Sequence, residues 1–129
     1  MTPAEALPAE ALAAEAPGDL PAGSTHAPAD APAPPEADTL TAAGELLRAL
    51  AAPVRIAVVL QLRSSPRCVH ELVDALGVTQ PLISQHLRVL KAAGVVRGER
   101  RGREVVYRLV DDHLAHIVVD AVEHAEEDA

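Results

Sequence analysis

From residue 39 onward, apolar residues recur at three- and four-residue intervals through several stretches, then switch to alternation, then return to helical spacing. Leu40, Leu46, Leu47 and Leu50 share a face over 39–50, with Asp38 placed to cap the helix and Ala51-Ala52-Pro53 to break it. Pro53 suits the first turn of a second helix reaching about residue 63, whose Ile56, Val59, Leu60 and Leu62 supply core positions. Residues 68–76 form a third helix with Leu72, Val73 and Leu76 apolar, and Gly77 ends it. Thr79 is the expected N-cap of a fourth, with Pro81 in its first turn and Ile83, Leu87 and Leu90 facing inward.

A short helix, a brief turn and a second capped helix match the helix-turn-helix pattern. On the outer side of that second helix lie Gln80, Ser84, Gln85 and Arg88, whose amide, hydroxyl and guanidinium groups suit base edges and phosphates. His86, on the same helix, is expected to pack or to touch a phosphate. The alternation follows. Residues 95–100 and 103–109 read as two strands around Arg101-Gly102, with Val105, Tyr107 and Leu109 alternating against Glu104, Val106 and Arg108. Arg97, Arg100, Arg101 and Arg103 crowd the hairpin tip. One arginine is an ordinary solvated charge, but four at one turn beside a helix-turn-helix form a wing able to grip DNA. The expected fold is mainly α with a small β-hairpin, a winged helix-turn-helix that dimerises through its terminal helices.

Charge changes the picture because it is segregated. The net charge is −8, yet all eleven Lys and Arg lie within 48–110, against Glu71, Asp74, Glu99 and Glu104. That basic block implies an anionic partner. Tyr107 is the only aromatic residue, so no stacking platform for single strands exists and duplex DNA is the expected partner. Residues 1–37 hold eight of the eleven prolines, thirteen alanines and no Lys or Arg. They read as a disordered acidic tail ahead of a domain over 38–129. They show neither the basic start nor the apolar run of a signal peptide, and no stretch is long enough to span a membrane, so a cytoplasmic protein is expected. The lone Cys68 permits no internal disulfide.

Four ordered blocks carry a resemblance. Leu50-Ala51-Ala52-Pro53-Val54-Arg55, Cys68-Val69-His70-Glu71-Leu72, Gln80-Pro81-Leu82-Ile83-Ser84-Gln85-His86-Leu87 and Gly102-Arg103-Glu104-Val105-Val106-Tyr107 are similar to those of the ArsR/SmtB family. The likeness extends over about residues 39 to 127. It implies a small dimeric winged-helix repressor that senses metal.

The last segment, DDHLAHIVVDAVEHAEED, then acquires a role. Its Asp111, His113, His124 and Glu127 have the D-x-H-x10-H-x2-E spacing that the family's zinc sensors carry on their C-terminal helix. Eleven helical residues turn about 20° past three full turns, so His113 and His124 share a face but stand about 16 Å apart along the axis. A single helix cannot hold one ion with both. An antiparallel second copy can, bringing Asp111 and His113 of one subunit to His124 and Glu127 of the other, two Zn²⁺ sites per dimer. Leu114, Ile117, Val118, Ala121, Val122 and Ala125 provide an apolar seam for that pairing. His116, Asp120 and His124, at successive i, i+4 positions, form a rival in-helix chelate, or a route to a sixth ligand for Ni²⁺ or Co²⁺, with His116 expected as a supporting or surface residue. Cys68 and His70 occupy the block where the family's arsenic, cadmium and lead sensors place paired cysteines; a second metal site there is the alternative, and a buried helix-start cysteine is the expected reading.

These readings combine into a zinc-responsive homodimeric repressor that binds an inverted-repeat operator when apo and leaves it on metal binding. Two rivals stand beside it: an oxidant sensor acting through Cys68, and a winged-helix protein-interaction module that never binds DNA. No nucleophile–base pair or phosphate loop suggests an enzyme.

Overall fold

The computed structural model describes residues 31–127. The chain divides after Gly44 into two units. In the first, residues 31–36 have no regular structure and α1 (Ala37–Leu50) begins; the rest of the expected tail, 1–30, lies outside the described residues. α1 starts one residue before Asp38, so Asp38 sits in the first turn, where its charge faces the positive helix end, instead of capping it.

The second unit contains the end of α1 and then α2 (Pro53–Ser64), β1 (Arg67–Cys68), α3 (Val69–Leu76), α4 (Gln80–Ala92), β2 (Val96–Arg101), β3 (Glu104–Leu109) and α5 (Asp112–Glu127). Local chemistry sets the boundaries. Pro53 opens α2, where a missing N–H costs nothing. Gly77 closes α3 in the left-handed region at φ 67°, its N–H donating to the carbonyl of Val73. Thr79 holds the N-cap position of α4 as expected, although its side chain makes no capping hydrogen bond.

Leu50, Val58, Val59, Leu62, Leu72, Ile83, Leu87, Leu90, Val95, Val96, Leu114 and Val118 make one core, and no polar or charged residue is buried among the described residues. Ile83, Leu87 and Leu90 enter it together from one stripe of α4, each contributing about 1.5–3 kcal/mol by burial. They fix which side of α4 is left to solvent. Leu46 packs against the core, while Leu47 on the adjacent face is 54% exposed.

The three strands form an antiparallel sheet in the order β1-β3-β2. β1 pairs Arg67 with Tyr107 and Cys68 with Val106; β2 pairs Val96 with Leu109 through to Arg101 with Glu104. Two expectations shift. Cys68 is not a helical residue: it ends β1 and caps α3. The hairpin turns at Gly102-Arg103 instead of Arg101-Gly102, because Gly102 takes the left-handed φ of 64° that the turn demands. β3 does not alternate sharply between faces, since as the middle strand it is half-buried from Val105 to Leu109.

α5 also departs from its expected role. Its first half docks on α2 and β3, burying Leu114, Ala115 and Val118 in the chain's own core. Leu114 and Val118 are therefore not available as a seam for a second copy. Ile117 and Val122 are half-buried, and Ala121 and Ala125 are exposed.

Candidate functional site

α3, its turn and α4 make the helix-turn-helix, and the β2–β3 hairpin is the wing beside it. With Ile83, Leu87 and Leu90 inside, α4 leaves Gln80, Gln85 and Arg88 exposed, and Ser84 half-exposed. Ser84, Leu87, Arg88, Lys91 and Tyr107 border a shallow cleft of about 190 Å³ between α4 and β3. No carboxylate lines it, so the cleft favours an anion.

His86 turns elsewhere. Its Nδ1 stands 3.2 Å from Nη1 of Arg55, and Nε of the same guanidinium donates to the carbonyl of Ala49. A guanidinium only donates, so Nδ1 accepts and the imidazole is neutral. Burial first, and the Arg55 charge second, hold its pKa below the ordinary histidine value. His86 thus ties α4 to the junction of α1 and α2, the packing alternative of the two expected for it.

At the wing, Arg97, Arg100, Arg101 and Arg103 are all exposed. Glu99 receives Arg108 at 3.2 Å and Arg101 at 3.6 Å, a partial internal neutralisation of the tip. Arg103 sits in the turn itself, beside Gly102.

The C-terminal quartet is distributed as helix geometry requires. Asp111 immediately precedes α5, and its Oδ1 stands 2.9 Å from Nδ1 of His113. His124 and Glu127 lie in the last turn, exposed. Within one chain the four do not converge. Nor do His116, Asp120 and His124 form a close group. Among the described residues, the one set of three or more such side chains near enough to share an ion is Cys68, His70 and Glu104.

Cys68 is buried, as expected, and held by a reciprocal cap: its N–H donates to Oε1 of Glu71 at 2.9 Å, and its Sγ lies 3.4 Å from the same oxygen. Those two hydrogen bonds, backbone first, pull the Glu71 pKa down, while burial pushes the Cys68 thiol up. A thiol kept protonated is poorly suited to oxidant sensing, which weakens that rival. The sequence did not bring Glu104 to this cluster. Two-residue β1 has no period to read, and only the observed register sets Glu104 beside it.

A helix-turn-helix with an arginine-rich hairpin at its side defines a winged-helix DNA-binding regulator. Residues 52–97 match the family described as bacterial regulatory protein, arsR family. The chain belongs to that family. It is 79% identical over 98 residues to the HTH-type transcriptional repressor SmtB of Mycobacterium tuberculosis, covering 76% of this chain and 73% of that protein. It is 39% identical over 94 residues to the HTH-type transcriptional regulator NmtR of the same species, covering 73% and 78%. A homodimeric winged helix-turn-helix DNA-binding domain from Mycobacterium bovis superposes with a TM-score of 0.66 at 24% identity, over 77% of this chain and 92% of that one; this likeness bears on the fold alone. The named relatives are transcriptional repressors and regulators, not enzymes. No helix among the described residues is long and apolar enough to cross a membrane.

Proposed function

We propose that the protein is a cytoplasmic, homodimeric transcriptional repressor that holds an inverted-repeat operator when apo and releases it on binding zinc. The observation that carries the metal reading is the paired, exposed Asp111 and His113 at one end of α5, with His124 and Glu127 exposed at the other. Two imidazoles and two carboxylates suit Zn²⁺, and they converge only if α5 meets an antiparallel copy. Asp111 and His113 of one subunit with His124 and Glu127 of its partner would hold the ion, two per dimer. Bound there, zinc supplies a cross-link between subunits. Exposed Ala121 and Ala125 with half-buried Ile117 and Val122 support the pairing of terminal helices.

Gln80, Ser84, Gln85 and Arg88 would face the major groove, with Arg100, Arg101 and Arg103 on the backbone or minor groove. Release requires that metal favour the dimer arrangement with lower DNA affinity, and linkage then requires operator DNA to weaken metal binding by the same factor. Zinc titration with and without operator tests this: equal zinc affinity in the two titrations would overturn it. Arg103→Ala should lower the slope of log affinity against log salt by about 0.9 per subunit. An unchanged slope would remove Arg103 from the DNA contact.

A further inference from the structure

We infer that Arg55 is a positioning residue for operator recognition: through His86 it braces α4 against the end of α1. The inference rests on the proposed docking of α4 on DNA and names what holds the helix in the posture that docking needs. The brace begins with a carbonyl that proline leaves unserved. In a continuing helix the carbonyl of Ala49 would accept from the N–H of residue 53, and Pro53 has none. Ala49 is buried, where an unmet carbonyl is costly. Nε of Arg55 donates to it instead, and Nη1 of the same guanidinium reaches Nδ1 of His86 at 3.2 Å. A planar fork serves two acceptors at once; a lysine ammonium on its flexible stem does not hold that geometry. Arg55 is half-buried and forms no ion pair with a described residue, so these two neutral acceptors are its partners.

Among the described residues, this is the one side-chain hydrogen bond that α4 makes to another element. The stripe of Ile83, Leu87 and Leu90 decides which face of α4 turns inward, but burial is non-directional and does not by itself pin the roll of the helix. A hydrogen bond is directional. His86 directly follows Gln85 and lies two positions from both Ser84 and Arg88, so fixing its ring fixes the helix that presents all three. α1 is one of the terminal helices through which the proposed dimer forms. The same contact therefore relates the end of that helix to the recognition surface within each chain.

Protonation opens the brace. A protonated His86 has no acceptor left on Nδ1 and meets the Arg55 charge at close range. Arg55, from α2, is the charged group that acts on His86, while α1 meets the pair with the Ala49 carbonyl. Operator affinity is therefore expected to fall as pH drops through the His86 transition, which lies below the ordinary histidine value.

The test uses the full chain and a duplex that the parent protein selects from a random-sequence library, with an unselected duplex of equal length for comparison. Arg55→Lys keeps the charge and loses the fork. It should weaken binding to the selected duplex about tenfold, with binding to the unselected duplex and the salt slope unmoved. His86→Leu removes the acceptor and should match it. The double variant should bind no more weakly than either single, since both break one contact. His86→Asn accepts from Arg55 without titrating, so it should hold the parent affinity at neutral pH and keep it in acid, where the parent loses it. Parent and His86→Asn both retain the contact, so the acid comparison stands even where Arg55→Lys fails to fold. Parent-like binding by Arg55→Lys, equal losses on both duplexes, additive losses in the double variant, or parallel acid profiles for parent and His86→Asn would each overturn the brace alone. A parent that selects no duplex would instead overturn the DNA reading, and this inference with it.

Discussion

At the scale of single residues, the wing shows how little room separates a workable sequence from a strained one. Gly98 lies opposite Tyr107 in β2, and a Cβ there would stand 2.8 Å from Cγ1 of Val105 and 3.1 Å from Cε2 of Tyr107. Val105 is β-branched and stiff at χ1, so it cannot swing aside cheaply. Gly98→Ala should therefore destabilise the protein by about 1–3 kcal/mol, although alanine is the better residue for backbone entropy. Urea unfolding measures it, and a neutral or stabilising result would show that the hairpin opens to accept the methyl group. Gly102 and Gly77 are constrained differently, through positive φ, and both were legible beforehand as turn and helix stop. Gly98 was not, because its constraint comes from cross-strand neighbours whose register no local pattern reveals.

Among elements, legibility follows period and length. α2 and α4 are long enough for the three-four pattern to show, Pro53 and Pro81 mark their starts, and Gly77 marks the end of α3. β1 is two residues long and exists because β3 accepts it as a neighbour; Cys68 therefore read as helix when it is strand and cap. The same limit hid the meeting of Glu104 with Cys68 and His70. His86 shows a third kind of limit: sequence spacing placed it on the flank of α4 but could not show Arg55 arriving from α2. That contact has a pH signature. The folded-state pKa of His86 is held below the ordinary 6.5, so the unfolded chain takes up the proton first as pH falls. The stability tied to neutral His86 is complete above about 6.5 and is lost as pH drops through the lowered folded value. His86→Asn retains an acceptor for Arg55 without titrating, and should flatten thermal stability across that window. An identical acid-dependent loss in the variant and the parent would show that another group is responsible.

For the whole molecule, α5 has two obligations that the sequence presents as one. Leu114, Ala115 and Val118 serve the chain's own core, while Asp111, His113, His124 and Glu127 remain at its exposed ends. Losing an imidazole should therefore spare folding, and His113→Gln or His124→Gln should abolish tight zinc binding at α5 while leaving the dimer and its operator binding intact. The mixed dimer of these two variants decides the connectivity. If the ligands come from opposite subunits, one site contains both lesions and the other contains none, so a forced His113→Gln/His124→Gln heterodimer should recover one α5 zinc per dimer. Ligands drawn from a single helix would leave one lesion in each site and recover nothing. Made in a Cys68→Ser background, which removes the chain's one thiol, the count reports on α5 alone. A heterodimer that binds no zinc there would reject the antiparallel pairing of Asp111 and His113 with His124 and Glu127 of the partner.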